Sequence, residues 1–518
     1  FCSLPVDDKY QRCFMKLLCI SNGHGEDVIA LRILVSFRQQ CPAVQLSALP
    51  ISGAGAPYRK AEIPIVGPTQ TLPSGGFVNR DPKHLARDVR GGLLALTRSQ
   101  LSALKAWSRS AQDSAQDTDA VILAVGDIVP LLFAYLSGLP YGFVGTAKSE
   151  YWLRDERGKL PASKLWERVE GWSGSVYLPW ERWLMSRPRC RCVFVRDGLT
   201  AKHLQKMGLP AQYAGNPMMD DLAASGQLDA LLTRLRNQQL SDLNPSPAWP
   251  SFDQSAENFA AENPTATNYV TYPKSTAPTT LQGAAKQSAA SQANRAKATA
   301  LFLSNKQRQN PLTIALLPGS RPPEAYQNWR RMLATLPGLA AAFPNRLLIL
   351  LGAIAPSLSL AELESALQDV LPAKGPLAEK DLGMLCSYPV YSYQNIMLLL
   401  VDDAYNDCLD QSEIAIATAG TATEQFVGLG KPAITLPGEG PQFTQAFATV
   451  QAKMLGVSVQ MVDEAEAVGP AIAKLMNDPD RLQLIYKNGK HRMGEPGAGQ
   501  RIAKHLLEAI GTSQPVSL

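Results

Sequence analysis

The chain has 518 residues, of which 45% are hydrophobic and 18% charged, and its formal net charge is +5. This length is sufficient for two domains with separate cores, and the composition is that of a globular protein rather than a disordered or fibrous one. The modest charge and the lack of an RNA- or DNA-binding motif argue against a nucleic-acid partner. No run of 18 or more apolar residues suggests a membrane span, and Phe1–Cys13 does not resemble a secretory signal, so we expect a cytoplasmic protein.

The eight cysteines are scattered and form no CxxC pair, which is typical of reduced thiols rather than of a disulfide framework. Cys190 and Cys192 are close, but structural zinc needs four convergent ligands, and no histidine lies near them. The acidic triplet Asp117–Asp119 precedes a predicted strand and would lie at the amino end of the sheet. We therefore expect no metal and no cofactor.

Short apolar runs alternate with helical stretches on both sides of a polar central segment, which is the pattern of parallel βα units. In the first half the pattern predicts strands at Met15–Ile20, Ala120–Val125 and Cys192–Val195, with a helix from about Glu26. In the second half it predicts strands at Ile314–Leu317, Arg346–Leu351, Ile414–Ala417 and Ala433–Leu436. The expected fold class is α/β, with two doubly wound, Rossmann-like domains whose ligands bind at the carboxyl ends of the strands.

The central segment Ser241–Ser291 is rich in small and polar residues and has little apolar periodicity, so we expect it to be disordered. A short helix within Lys286–Leu303 is an option, because alanine, lysine and arginine are frequent there. The predicted units are an extension (1–14), an amino-terminal domain (15–222), a linker (223–310), a carboxyl-terminal domain (311–495) and a helix packing back on the amino-terminal domain (496–518).

The first strand leads into a glycine-rich loop that opens the first helix, Asn22-Gly23-His24-Gly25-Glu26-Asp27. Glycines allow close backbone approach to a ligand, and a helix amino terminus offers unpaired N–H donors. Val28 occupies the third glycine position of the dinucleotide fingerprint, so that motif is absent. His24 is the only one of the five histidines in such a strand-end loop. The alternative is a tight βα turn with an acidic residue in the first helical turn.

Two loops of the second half could bind a phosphate. In the first, Gly319 and Ser320 offer donors and Arg321 a forked cation; the alternative is a proline-rich turn with a solvated arginine. The second is Gly420-Thr421-Ala422-Thr423-Glu424, where Gly420, Thr421 and Thr423 would receive a diphosphate at a helix start.

Glu424 could accept the hydroxyl protons of a ribose, with a capping role as the alternative, and the loop Pro437–Gln442 would place Gln442 at the same edge. Asp127 directly follows a predicted strand of the first half and could take a proton from an attacking hydroxyl. Its alternative role is to cap the helix that begins near Pro130.

Five motifs occur in the same order in lipid-A-disaccharide synthases: Asn22–Asp27, Gly126–Asp127, Gly215–Pro217, Pro318–Arg321 and Gly420–Glu424. The chain most resembles the branch described as lipid-A-disaccharide synthase-related, over Lys16–Met219 and Pro311–Ile510. The resemblance implies a GT-B-like fold with two domains facing across a cleft, and inverting, metal-independent transfer of a sugar from a UDP-sugar donor. The carboxyl-terminal domain would bind the donor and the amino-terminal domain the acceptor.

Under this resemblance Arg321 and the helix at Thr421 would neutralise the leaving diphosphate, and Glu424 would bind ribose. Asp127 would be the foremost base, with His24 and Glu26 as further catalytic candidates. Cleft or acceptor contacts would come from the remaining strand-end residues Asn22, Gly23, Gly25, Asp27 and Asn216. The first loop differs from the Gly-Glu-Ala-Ser-Gly-Asp type of the lipid A synthases, which indicates another acceptor, and the insertion after Met219 also departs from the family.

Five of the eight tryptophans lie within 32 residues: Trp152, Trp166, Trp172, Trp180 and Trp183. They are interleaved with the cations Arg154, Arg157, Lys159, Lys164, Arg168 and Arg182. Such mixtures favour a bilayer interface, although the tryptophans could instead pack a helical subdomain or line an acceptor pocket. The prediction is a glycosyltransferase with a lipid-linked or amphiphilic acceptor and peripheral membrane contact. The alternatives are a nucleotide-sugar 2-epimerase and a non-catalytic binding protein with the same fold.

Overall fold

The computed structural model describes residues 15–23, 25–70, 91–113, 119–160, 171–233, 311–370, 388–438 and 443–511. The strands of the first half are β1 (Met15–Ser21), β2 (Gln45–Pro50), β3 (Asp119–Gly126), β4 (Tyr141–Gly145), β5 (Arg154–Asp155), β6 (Gly158–Lys159), β7 (Cys190–Phe194) and β8 (Ala211–Gln212). Six of them form a parallel sheet in the order β2-β1-β3-β4-β7-β8, and β5 and β6 form a small hairpin. The helices of this half are α1 (Gly25–Gln40), α2 (Ala56–Lys60), α3 (Leu93–Gln112), α4 (Ile128–Leu136), α5 (Pro179–Met185) and α6 (Gly198–Lys206).

The second half contains the strands β9 (Leu312–Leu317), β10 (Leu348–Ala353), β11 (Val390–Tyr393), β12 (Ile396–Val401), β13 (Ile414–Ala417), β14 (Ala433–Thr435) and β15 (Val459–Met461). They form one sheet in the order β11-β12-β10-β9-β13-β14-β15, in which β11 is antiparallel and the others are parallel. The helices are α7 (Glu324–Leu333), α8 (Leu336–Ala342), α9 (Leu360–Val370), α10 (Tyr405–Gln411), α11 (Thr421–Gly428), α12 (Gln445–Leu455), α13 (Val468–Met476), α14 (Pro479–Met493) and α15 (Ala498–Gly511).

The strands are almost uniformly apolar because each sheet is covered by helices on both faces. In β1, Leu17 and Cys19 pack into the core on one face, and Leu18 and Ile20 pack into the core on the other. Two further core clusters cover the two faces of the second sheet in the same way. The predicted α/β fold class, with two doubly wound Rossmann-like domains in a GT-B-like arrangement, is confirmed.

Each sheet has one place where the direction of strand addition reverses. In the first sheet the strands that follow β1 in sequence lie on opposite sides of it, β2 on one and β3 on the other. In the second sheet β10 and β13 lie on opposite sides of β9. Helices leave the sheet to opposite faces at such a point, and the crevice that opens at the carboxyl ends of the strands is where doubly wound folds bind ligands. The loops after β1, β3, β9 and β13 are therefore the places to look for a site.

The chain crosses between the domains near residue 220 and again near residue 497. Helix α15 packs against α1 and β7, and its apolar face completes the first core with Ile502, Ala503, Leu506, Leu507 and Ile510. Asp220 accepts hydrogen bonds from the backbone N–H groups of Gly497, Ala498 and Gly499, which fixes the start of α15.

The predicted linker begins with residues that belong to the second core. Leu228, Leu231 and Leu232 are buried against the second sheet, because this leucine-rich stretch has an apolar face of its own. Leu222, the last residue of the predicted amino-terminal domain, belongs to the same core. The 1–14 extension and the Ser241–Ser291 insertion lie outside the described residues, so those predictions and the exact boundaries remain predictions. No helix within the described ranges is long and apolar enough to cross a membrane.

Candidate active site between the two domains

The loops after β1, β2 and β3 are packed so closely that two positions admit only glycine. Gly23 has φ +118°, and a Cβ there would lie 2.2 Å from the carbonyl oxygen of Ser52. Gly126 has φ +137°, and a Cβ there would lie 2.6 Å from Oδ1 of Asn22. Both conformations are strained for any other residue. The contacts bring the predicted residues Asn22 and Gly23 together with the Gly126-Asp127 turn at one edge of the first sheet.

Glu26 lies in the first turn of α1, facing the turn after β3 and the loop after β4. Its Oε1 atom is 3.5 Å from Oγ1 of Thr146, which follows β4. Burial raises the pKa of Glu26 to about 7; the negative charge of Asp127 adds to the increase, whereas Arg321 of the other domain opposes it. A carboxyl group that titrates near neutral pH can both accept and donate a proton under physiological conditions.

Asp127 caps α4. Its Oδ1 atom accepts a hydrogen bond of 2.8 Å from the backbone N–H of Val129, as the capping alternative predicted. The same carboxylate contributes negative charge next to Glu26. Asp127 is therefore a structural cap and an electrostatic neighbour of the most perturbed carboxyl group in this loop cluster.

In the second domain, α11 begins at Thr421 directly after β13, and its amino terminus lies beside the loop after β9. Side-chain amides hold both loops in place. Nδ2 of Asn328 donates to the carbonyl oxygens of Pro318 and Thr418, and Nε2 of Gln451 donates to that of Gly420. The backbone N–H groups at the start of α11 are thereby held in a rigid frame suited to an anion.

Gly319, Ser320 and Arg321 occupy the neighbouring loop. Gly319 has φ +97°, and the carbonyl oxygen of Ser320 accepts a hydrogen bond from Ser357. Burial lowers the pKa of Arg321, while the negative charges of Glu26 and Glu324 partly offset that effect. The guanidinium group of Arg321 thus lies within electrostatic range of Glu26 in the first domain.

The two sets of loops meet at the domain interface, at the carboxyl ends of both sheets. A Cβ at Gly25, the first residue of α1, would lie 3.4 Å from Oγ1 of Thr421, the first residue of α11. Two helix amino termini, one from each domain, therefore face each other across the interface. Beside them Nη2 of Arg196 lies 2.8 Å from Oε1 of Glu424, and both side chains are only 7% exposed.

Glu424 keeps one carboxylate oxygen for a further contact. Its Oε1 atom is bound to Arg196, whereas its Oε2 atom is buried and has no hydrogen-bond partner among the described residues. A buried polar atom without a partner is costly, and a ligand hydroxyl would satisfy it. This oxygen lies in the first turn of α11, where the sequence predicted a ribose-binding carboxylate.

Three predicted contact residues have buried side chains that serve the protein itself. Asp27 is 1% exposed and accepts a hydrogen bond from Ser21. Thr423 is fully buried and donates to the carbonyl oxygen of Ala419. Oδ1 of Asn216 accepts from the backbone N–H of Met218 and caps a short 3-10 turn. These bonds give the three side chains a supporting role in the loops, as small polar side chains at helix and strand ends often have, and their contacts with a ligand remain predictions. His24 and Gln442 lie outside the described residues.

Three residues near the crevice carried no motif in the sequence. Ser52 follows β2, Thr146 follows β4, and Arg196 follows β7. The Oγ atom of Ser52 is buried without a hydrogen-bond partner in the described part of the chain. Their common signal is their position after a parallel strand, the same rule that selected Asn22 and Asp127.

The tryptophan-rich region divides into an interior and a surface part. Trp152 is buried, and the ammonium group of Lys453 from the second domain lies 4.2 Å from its ring centroid, so it belongs to the domain interface. Trp172, Trp180 and Trp183 are 85%, 56% and 46% exposed. Trp166 lies outside the described residues.

The surface tryptophans adjoin other apolar and basic side chains. Trp183 packs edge-on against Tyr135 of α4, and the guanidinium group of Arg187 lies 4.2 Å from its ring centroid. Arg182 donates to the sulfur of Met207. We use the term aromatic patch for the exposed set Leu132, Leu136, Trp172, Trp180, Trp183 and Met207.

The two best-formed surface cavities of the described structure lie away from these loops. Two surface cavities of about 470 and 620 Å³ are lined by residues 59–67 and by residues 154–158 with part of α6, and neither contains a predicted site residue. Within the described ranges no group of three or more His, Cys, Asp or Glu side chains could hold a metal ion. The described cysteines are buried, free thiols.

Comparisons with known proteins give structural neighbours only. No protein-family model and no curated protein matches the sequence. The chain is similar in structure to an S. aureus MnaA–UDP complex, with a TM-score of 0.48, 11% identity, and 97% of this chain and 100% of that one covered. It is also similar to a Neisseria meningitidis UDP-GlcNAc 2-epimerase bound to UDP-GlcNAc (TM-score 0.46, 13% identity, 95% and 100% covered) and to an Acinetobacter baumannii MurG (0.45, 13%, 95% and 99%). These similarities are too distant to carry an activity over to this chain.

Proposed function

We propose that the protein is an inverting glycosyltransferase that moves a sugar from a UDP-sugar donor to a lipid-linked or amphiphilic acceptor. The observation that carries the proposal is that the amino termini of α1 and α11 meet at the domain interface. In both sheets this is the place where the direction of strand addition reverses. Doubly wound folds bind ligands at this position, and facing helix ends favour an anionic group between them.

The donor would lie against the second domain. The start of α11 and the guanidinium group of Arg321 supply positive potential for a diphosphate, and Oε2 of Glu424 can accept a ribose hydroxyl. As the bond from the sugar to the diphosphate breaks, negative charge builds up on the leaving phosphate oxygen. Fixed N–H dipoles and a cation that already point to that place stabilise the transition state without reorganisation.

The acceptor would lie against the first domain, with its hydroxyl near Glu26. In the reaction the hydroxyl oxygen attacks the anomeric carbon, its proton passes to the Glu26 carboxylate, and UDP leaves with the bonding electron pair. Glu26 suits this role because its pKa is about 7, whereas Asp127 has one oxygen committed to the α4 cap. The sequence favoured Asp127 as the base; we propose that it acts by its charge on Glu26.

A nucleotide-sugar 2-epimerase is the second candidate, and one observation favours it. Glu26 and Asp127 form a pair of interacting carboxyl groups at one edge of the crevice. An epimerase needs groups that remove and return a proton on the bound sugar, and such a pair can do this without an acceptor.

Nucleotide binding and product analysis test these proposals. A ligand that binds only the folded state stabilises it, so we expect UDP to raise the melting temperature in a concentration-dependent manner. We expect smaller increases with ADP and GDP, because the proposed donor carries uridine. UDP-sugar turnover that requires an added acceptor would support transfer, whereas isomerised UDP-sugar without an acceptor would support epimerisation. A protein that binds no nucleotide would contradict both.

We further propose that the aromatic patch contacts the surface of an anionic membrane, which would bring the protein to an amphiphilic acceptor. Exposed tryptophans beside arginines suit the interface, where rings lie among headgroups and cations face anionic lipid. The W180S/W183S variant should float with vesicles of phosphatidylglycerol and phosphatidylcholine much less than the parent. L484S is the control, because Leu484 is 53% exposed but lies on α14 of the other domain. Equal flotation of all three proteins, or none by the parent, would contradict membrane contact.

A further inference from the structure

A single guanidinium group connects the two halves of the crevice. Arg196 lies after β7 in the first domain and forms its ion pair with Glu424 of α11 in the second. Its Nη1 atom donates to the carbonyl oxygen of Thr146 at 3.1 Å. One planar group is therefore fixed to a strand-end loop of its own domain and to the predicted ribose-binding carboxylate of the other.

The connection continues from Thr146 to Glu26. The backbone N–H of Thr146 donates to the carbonyl oxygen of Gly126 at 3.2 Å, and its Oγ1 atom lies 3.5 Å from Oε1 of Glu26. An unbroken series of contacts thus runs from Glu424 through Arg196 and Thr146 to Glu26. Its two ends are the carboxyl groups assigned above to donor binding and to proton transfer.

The chemistry of the contact explains why an arginine stands here. Burial is the largest influence on the pKa of Arg196 and lowers it, but Glu424, with Asp197 and Tyr177, raises it, and the net shift is upward, so the side chain remains charged in the interior. A guanidinium group donates in several fixed directions within one plane, which an ammonium group on a flexible stem cannot do. A buried ion pair is weak evidence for added stability, yet removal of one partner leaves an uncompensated charge.

We propose that Arg196 is a positioning residue that couples the nucleotide-binding carboxylate Glu424 to the proton-accepting carboxylate Glu26 across the domain interface. The inference rests on the proposed function. With Oε1 held by Arg196, Oε2 is presented to the ligand, and a donor that binds there tightens the same series of contacts that positions Thr146 beside Glu26. The donor site and the acid–base site are then ordered together.

The first experiment measures UDP affinity by calorimetry in R196Q, E424Q and the double variant. Each single variant should bind UDP about tenfold more weakly or worse, and the double variant should be no worse than the weaker single one, because groups that act through one contact are not additive. R189Q is the matched control: Arg189 lies just before β7, at the opposite end of the same strand, and donates to the carbonyl oxygen of Tyr135. It should bind UDP like the parent.

The R196K variant distinguishes loss of the two contacts from a folding defect. It keeps the buried charge and should unfold near the parent's temperature, yet it should still lose about fivefold or more in UDP affinity, because one ammonium cannot reproduce both contacts. Full UDP affinity in R196K and R196Q, or single-variant losses that multiply in the double variant, would overturn the inference.

The second experiment needs no ligand and separates this inference from the proposed function. Amide hydrogen exchange of the unliganded protein should become faster in R196Q, and not in R189Q, in residues 143–149 and in residues 418–426 together. Unchanged exchange in either segment would overturn the coupling by itself. A parent protein that binds no UDP while both segments respond would instead reject the proposed function and keep the mechanical link.

Discussion

At the residue scale, Asp127 combines two roles that a pair of substitutions can separate. One carboxylate oxygen accepts from Val129 as the cap of α4, and the charge raises the pKa of Glu26. Asparagine caps a helix about as well as aspartate but carries no charge, whereas alanine does neither. D127N therefore removes the electrostatic role alone.

We expect D127N to keep the parent's stability and D127A to lose about 0.5–2 kcal/mol of unfolding free energy. If Glu26 is the base, D127N retains activity, and the rise of rate with pH, centred near 7 in the parent, moves to lower pH because the carboxyl group loses a negative neighbour. A pH–rate profile checks the shift. Complete loss of activity in D127N with normal folding would make Asp127 the base.

Glu26 also makes stability depend on pH. Its pKa rises from 4.5 in the unfolded chain to about 7 in the folded protein. The stability that the protonated carboxyl group contributes is therefore fully present below pH 4.5 and is lost as the pH rises toward 7, because the unfolded chain ionises first. The glutamine of E26Q stays neutral at every pH. The free energy of unfolding of E26Q should therefore gain on that of the parent across this window, by at most about 3 kcal/mol. Urea unfolding at pH 4.5, 6 and 8 measures the difference. A constant difference would mean that the pKa of Glu26 is not raised.

Sequence reasoning at this scale selects loops better than side chains. It identified the strand-end loops that hold Asn22, Asp127 and Arg321, because glycine patterns and strand ends are visible in the chain. It could not tell that Asp27 and Thr423 turn inward, because this depends on which neighbouring carbonyl or hydroxyl lies within reach in three dimensions. Arg196 was overlooked because its partner Glu424 is distant in sequence.

At the element scale, the amino terminus of α11 is a positive end that an added carboxylate should both stabilise and block. Thr421 is the first residue of this helix and is exposed. T421D should raise stability by about 0.3–1 kcal/mol through the helix dipole. It should also weaken UDP binding about tenfold or more, because two anions would compete for the same N–H groups.

Thermal unfolding and UDP titration of T421D test the two effects together. T444D is the control, since Thr444 caps α12 with its own side chain and Asp is an equivalent cap. It should bind UDP normally. Undiminished UDP binding in T421D would place the diphosphate elsewhere.

The positions of the elements were largely predictable. The predicted strands Met15–Ile20, Ile414–Ala417 and Ala433–Leu436 correspond to β1, β13 and β14 within one residue at each end. Buried parallel strands stand out as apolar runs between glycine-rich loops. The order of strands in each sheet was not readable, because it depends on which crossovers pack best rather than on any local pattern.

At the scale of the whole molecule, α15 makes the first domain depend on a helix that follows the second domain in sequence. Leu506 is fully buried and packs against Gly142 of β4. L506A should therefore cost about 2–5 kcal/mol of unfolding free energy. L484A is the control, because Leu484 is 53% exposed, and it should change stability by less than about 0.5 kcal/mol. Chemical denaturation measures both, and equal stabilities would show that α15 does not complete the first core.

The placement of α15 has a consequence for biosynthesis. Ile29, Ile33 and Phe37 of α1 form part of the core that α15 closes, so this surface stays open while the ribosome makes the entire second domain. The amino-terminal half is translated first, yet its core closes only after the second domain has been made. A nascent chain that stalls before residue 498 would leave the apolar face of α1 exposed to chaperones and proteases. Truncated products would then be recognisable by this exposed apolar surface.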